Sequence, residues 1–130
     1  MAHYADTSAL VKLVVAEPET AALTGWLRNT EPQIASCGLA RTELMRAVRR
    51  QHPDRAEQVR AVLTRVTLLE VPAALFDLAG RLDPTALRSL DAIHLAAALS
   101  LGDDLESVVT YDERLDEAAR RHGLPVTAPG

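Results

Sequence analysis

Lysine and cysteine are almost missing from this chain. Lys12 is the only lysine among fourteen basic residues, and Cys37 is the only cysteine. A single cysteine rules out an intramolecular disulfide and points to a reducing cytoplasm as the protein's location. No apolar run approaches 18 residues, so no membrane-spanning helix is expected. The opening stretch MAHYADTSALVKLVV has no basic region ahead of its apolar part and no cleavage-site pattern, so no signal peptide is expected. Internal repeats, low-complexity segments and linkers are absent too, and at 130 residues the chain is expected to form a single domain, 1–130. The formal net charge of −4 provides no global attraction to nucleic acid.

The charge that is present is unevenly spread. Between Arg41 and Arg65 lie seven arginines against Glu43, Asp54 and Glu57; between Asp91 and Glu117 lie eight acids against Arg114 alone. Three readings of the arginine stretch stay open: a solvated helix face, a contact with a polyanion beside a cation site, or the dock of a protein partner.

Short apolar strand candidates (HYA, QIASC, TLLEV, SVVTY and a final LPVTA) alternate with helix candidates. The helices are ALVKLVVAE, PETAALTGWLRN, LARTELMRAVRRQH, PDRAEQVRAVLTRV, PAALFDLAGRL, a segment from Leu90 to near Gly102, and DERLDEAARRHG closed by Gly123. This alternation predicts an α/β protein with a parallel sheet and helices on both faces. Ligands of such sheets sit outside the carboxyl ends of the strands, where Asp6 ends the first strand and Asp112 follows the fourth.

Two further acids stand out. Asp91 opens the segment SLDAIHLAAALSLG, which is apolar nearly all round and therefore expected in the interior, where an unpaired carboxylate costs several kcal/mol. Glu43 stacks with Leu39 and Ala47 along one face of its helix, at the margin of the apolar stripe. Each acid has an ordinary explanation: Asp6 and Asp91 as caps or first-turn acids, Asp112 as a cap, Glu43 paired with Arg46. Together they are harder to explain that way. Two like charges about 5 Å apart repel by roughly 3 kcal/mol at an effective dielectric of 20. An oxygen-only set with no companion cysteine and no histidine cluster suits Mg²⁺ or Mn²⁺ rather than zinc. His94, one turn after Asp91, reads as a hydrogen-bonded core histidine or as a ligand, Cys37 as a small buried residue, and Trp26 as core or partner-facing.

YADTSAL, TEL, LDAIHLAAAL and VVTYDERL, in that order and spanning essentially the whole chain, resemble the PIN-domain family, most closely the VapC-type ribonuclease toxins of bacterial toxin–antitoxin pairs. The resemblance implies a compact three-layer α/β/α sandwich around a short, mainly parallel sheet. It implies cleavage of RNA phosphodiesters with Mg²⁺ or Mn²⁺ bound by the acidic set Asp6, Glu43, Asp91 and Asp112, of which Asp6 and Asp91 are expected to be the direct ligands, with Thr7, Ser8 and Thr110 supporting the acids. It also implies a homodimer and a cognate VapB-type antitoxin. The alternatives are a PIN-fold RNA-processing nuclease and a degenerate, non-catalytic PIN interaction domain. A phospho-accepting signalling receiver is disfavoured, because the first strand ends in one acid and no lysine follows Lys12.

Overall fold

In the computed structural model, which describes residues 1–130, five short strands form one parallel sheet. They are β1 (Ala2–Ala5), β2 (Gln33–Cys37), β3 (Thr67–Leu69), β4 (Leu105–Val109) and β5 (Val126–Thr127), in the order β3-β2-β1-β4-β5. The seven α-helices are α1 (Thr7–Leu10), α2 (Thr20–Thr30), α3 (Leu39–Gln51), α4 (Ala56–Thr64), α5 (Ala73–Ala79), α6 (Ser89–Leu99) and α7 (Glu113–Arg121). None is long and apolar enough to cross a membrane.

Two apolar layers cover the sheet, and the period-2 alternation of the strands feeds both. Tyr4 and Val108 pack with Leu95, Leu115 and Ala118 under α6 and α7. Their neighbours Ala5 and Val109 pack with Leu10, Leu44, Val48 and Val59 under α1, α3 and α4. This is the expected three-layer arrangement. The small residues Ala96, Ala97 and Ala98 of α6 are fully buried, which suits a helix lying in the interior. Gly123, with φ of 77°, ends α7 one residue beyond its cap as expected.

The expected helix ALVKLVVAE is a correction. The α-helix stops at Leu10, and a 3₁₀ turn, Val11–Leu13, follows. Leu10, Lys12, Val14 and Val15 are all buried, and on a 3.6-residue helix those positions would spread over about 200°, more than a single buried face. The chain meets that demand by leaving the helix. Lys12 is buried because Glu17 and Glu19 take its ammonium at 3.3 and 3.1 Å, with the Tyr111 ring beneath it. The next helix accordingly begins at Thr20 instead of Pro18, with the Thr20 hydroxyl donating to the Lys12 carbonyl.

From β1 the chain winds outward through β2 and β3, then crosses back to β4 and β5 on the other side. The switch point therefore lies between β1 and β4, where neighbouring strands send their chains in opposite directions and leave a crevice at the carboxyl edge. Asp6 follows β1 and Thr110 follows β4, so both stand at that crevice.

Candidate active site

Asp6 leaves β1 with an extended backbone and caps α1. Oδ1 accepts from the Ser8 hydroxyl at 2.6 Å and the Ala9 amide at 3.2 Å; Oδ2 accepts from the Thr110 hydroxyl at 2.8 Å. Only 4% exposed, it has its pKa raised by burial, against which these hydrogen bonds work. The Ser8 hydroxyl also accepts from the Tyr111 amide and the Thr110 hydroxyl from the Asp112 amide. These bonds stitch the loop after β4 to the end of β1.

Asp112 caps α7: its Oδ1 accepts from the amides of Arg114 and Leu115. Glu43 is held from two sides. Its Oε1 accepts from His94 Nε2 at 2.6 Å and from the Thr7 hydroxyl at 3.0 Å. Burial alone would raise the Glu43 carboxyl, but the bond and charge of His94, with Thr7, bring it below its ordinary value. His94 is 2% exposed, with Nδ1 against the Tyr4 hydroxyl at 2.7 Å and the Cys37 sulfur at 3.8 Å. Burial opposes the imidazolium, yet Cys37 and Glu43 hold the ring protonated with a pKa of about 10. Of the two, the short bond to an ionised carboxylate is the stronger. His94 is thus a core histidine, as one reading had it, but one that also grips a site acid.

Asp91 is the exception. In the first turn of α6 and half-buried, it makes no side-chain hydrogen bond and no ion pair. Burial raises its pKa first, then the charges of Asp112, Asp6 and Glu43, with His94 pulling the other way. No arginine or lysine forms an ion pair with it; the only ones that form any are Lys12, with Glu17 and Glu19, and Arg120, with Asp116.

All four expected acids and all three expected hydroxyls therefore meet at one edge. They do not form a tight cage: no three acid, histidine or cysteine side chains close on one point. The reason is visible in their bonds, since Glu43 is turned onto His94 and Asp112 onto its helix. Carboxylate oxygens alone, one of the four acids bare, fit a hard cation that keeps much of its water shell. Sequence reasoning missed Tyr4 and Cys37 as partners of His94, as well as the burial of Lys12. Tyr4 and His94 are 90 positions apart, and no local pattern marks them as a pair.

Residues 4–121 match the family model described as the PIN domain. The chain belongs to the PIN-domain family. It is 47% identical over 128 residues to Ribonuclease VapC46 of Mycobacterium tuberculosis, with 98% of each chain covered. Ribonuclease VapC47 of the same species is 43% identical, covering 98% of this chain and 96% of that one. Among solved structures, the M. tuberculosis toxin VapC20, described as cleaving the sarcin-ricin loop, superposes with a TM-score of 0.75 at 19% identity, covering 90% of this chain and 95% of its own. VapBC2 from Rickettsia felis, solved with a DNA fragment from its promoter, gives 0.72 at 15% identity with both chains fully covered. At such identities the two structures speak for the PIN fold alone.

Proposed function

We propose that this chain is an endoribonuclease toxin of the VapC type, with residues 1–130 forming one PIN domain, Mg²⁺ or Mn²⁺ as cofactor and a VapB-type antitoxin as inhibitor. The observation that carries the reading is Asp91: a half-buried carboxylate with no partner, raised by burial and by three neighbouring acids. A cation beside such a group offsets the repulsion of its neighbours and favours its ionised form. Near-full-length similarity to proteins named ribonucleases supports RNA as the substrate.

Asp6 and Asp91 would hold the metal. Asp6 is fixed for that by Ser8, Ala9 and Thr110, while Asp91 is free to turn toward it. When bound, the metal supplies a lowered pKa for an attacking water and charge stabilisation at the phosphate. Asp112 keeps Oδ2 clear of its capping bonds, and Glu43 keeps Oε2 clear of His94 and Thr7, so each presents one oxygen able to accept a proton or orient water. Attack by water instead of the ribose 2′-hydroxyl gives 5′-phosphate and 3′-hydroxyl ends. The partners are RNA, the antitoxin and a second copy of the chain, and the half-exposed Phe76 and Leu90 supply apolar surface for the protein contacts. A cytoplasmic location accords with the free Cys37.

The test is cleavage of total RNA by purified, antitoxin-free protein in Mg²⁺, Mn²⁺ or EDTA, beside Asp91→Asn. Discrete products that need the metal and vanish in the variant are expected. Full activity of the variant, or of the wild type in EDTA, would reject the assignment.

A further inference from the structure

The bond between His94 and Glu43 joins the two helical layers across the carboxyl edge of the sheet. Glu43 belongs to α3, whose Leu44 and Val48 pack in one layer; His94 belongs to α6, whose Leu95 and Ala98 pack in the other. Both ring nitrogens are engaged, Nδ1 with Tyr4 and Nε2 with Glu43, and the ring is nearly inaccessible. Nε2 donates to Glu43 in either protonation state, because Nδ1 accepts from the Tyr4 hydroxyl when the ring is neutral and donates to it when charged. Tyr4 is fully buried in β1, two residues before Asp6. The chain of contacts therefore runs from the middle of the sheet to the acid edge without passing through solvent.

The consequence falls on Glu43. Two donors, His94 and Thr7, converge on Oε1, and none reaches Oε2. Asp91, one helical turn before His94, has both oxygens unengaged. Asp6 is held at both oxygens and Asp91 at neither; Glu43 alone is clamped at one oxygen by a side chain from the opposite layer with the other left open, which suits a group that must orient a proton acceptor to within a fraction of an ångström. Resting on the ribonuclease reading above, we infer that His94 is a positioning residue: it locks Oε1 of Glu43, leaving Oε2 as a fixed hydrogen-bond acceptor at the reacting edge, and so keeps Glu43 out of the metal's inner ligand set.

Two substitutions separate this from a merely structural histidine. In His94→Gln the side-chain amide can reach where Nε2 stood and still donate to Glu43; in His94→Asn it can meet only Tyr4. Each would be assayed for kcat and KM on an RNA carrying the mapped cleavage site, for Mn²⁺ affinity by calorimetry, and for melting temperature. His94→Asn is expected to lose about a hundredfold in kcat. Its KM and Mn²⁺ affinity should stay near wild type, and His94→Gln should recover most of the rate. Glu43→Gln, which keeps the shape of the side chain, should likewise bind Mn²⁺ as wild type does. Wild-type kcat in a folded His94→Asn would overturn the inference. So would a loss of Mn²⁺ affinity in Glu43→Gln as deep as that in Asp91→Asn, a result available even if neither histidine variant folds. Equal losses in both histidine variants, in step with melting temperature, would reduce His94 to a structural role. A wild type that neither binds Mn²⁺ nor cuts RNA would instead remove the ribonuclease reading, and the role of His94 with it.

Discussion

Helix α3 belongs to two charged regions of opposite sign. Along the acid edge, Asp6, Glu43 and Asp112 are each held by two or more donors, and burial and neighbouring charge displace the pKa values of Asp6, Glu43 and Asp91. Across the outward faces of α3 and α4 and the turn between them, all seven arginines from Arg41 to Arg65 are exposed. None is in an ion pair; Arg55 alone is tied down, donating to the Val14 carbonyl at 3.0 Å. The same kind of group, a full charge, thus does different work in the two places. At the edge it is desolvated and oriented, so removing one charge alters chemistry. On the arginine face it is solvated and screened, so removing one charge changes little besides long-range attraction.

The largest effect expected is at Asp91. Asp91→Asn should abolish cleavage while leaving the metal-free melting temperature unchanged or higher, because the substitution relieves a carboxylate whose pKa the fold has raised. Mg²⁺ should raise the melting temperature of the wild type, by about 2.7 kcal/mol of stability at a hundredfold excess over Kd, and leave that of the variant unmoved. A variant stabilised by Mg²⁺ as the wild type is would mean that Asp91 is not a ligand.

Next in size is the pH response of the buried pair. The folded pKa of His94, about 10, lies above its ordinary value of 6.5, so the stability it contributes is complete below pH 6.5 and is lost as pH rises toward 10. Glu43 is lowered, so its contribution is present above its ordinary value of 4.5 and is lost as pH falls below it. Melting temperature should therefore fall by several degrees between pH 7 and 10, and His94→Gln should flatten that slope. An unchanged slope in the variant would assign the loss to another group.

The smallest effect belongs to the arginines. Arg46 and Arg50 follow Glu43 at i+3 and i+7 on the same flank of α3, which leads away from the acid edge over about 10 Å. If RNA phosphates lie along that flank, Arg46→Ala with Arg50→Ala should reduce the salt slope of RNA binding by roughly 0.7 per lost phosphate contact, measured in an Asp91→Asn background. Arg60→Ala with Arg65→Ala is the control. A slope that falls equally in both pairs would reduce the contrast to net charge alone.

Much of this was readable from the chain. The strands and most helices followed from apolar runs and their bounding prolines and glycines. Asp6 and Asp112 were placed at one edge by the rule that parallel sheets open at their carboxyl ends. The exceptions share a cause. ALVKLVVAE failed as a long helix because Val14, Val15 and Lys12 had to be buried together, and burial is a property of what surrounds a segment. Glu43 was legible as a site acid, with Arg46 as the ordinary alternative partner, but nothing local marked its actual partner, His94, 51 positions away.

Residue type and local spacing were therefore enough for the alternating α/β plan, the four acids and the three hydroxyls, because each of these is a local statement about period, caps and strand ends. The same information could not say which acid stands bare and which is held, because that depends on donors arriving from other elements. Tyr4, Thr7 and His94 come together only when the sheet closes and both helical layers reach its edge. A hydrogen bond needs atoms placed to a few tenths of an ångström, and in this molecule packing alone places them.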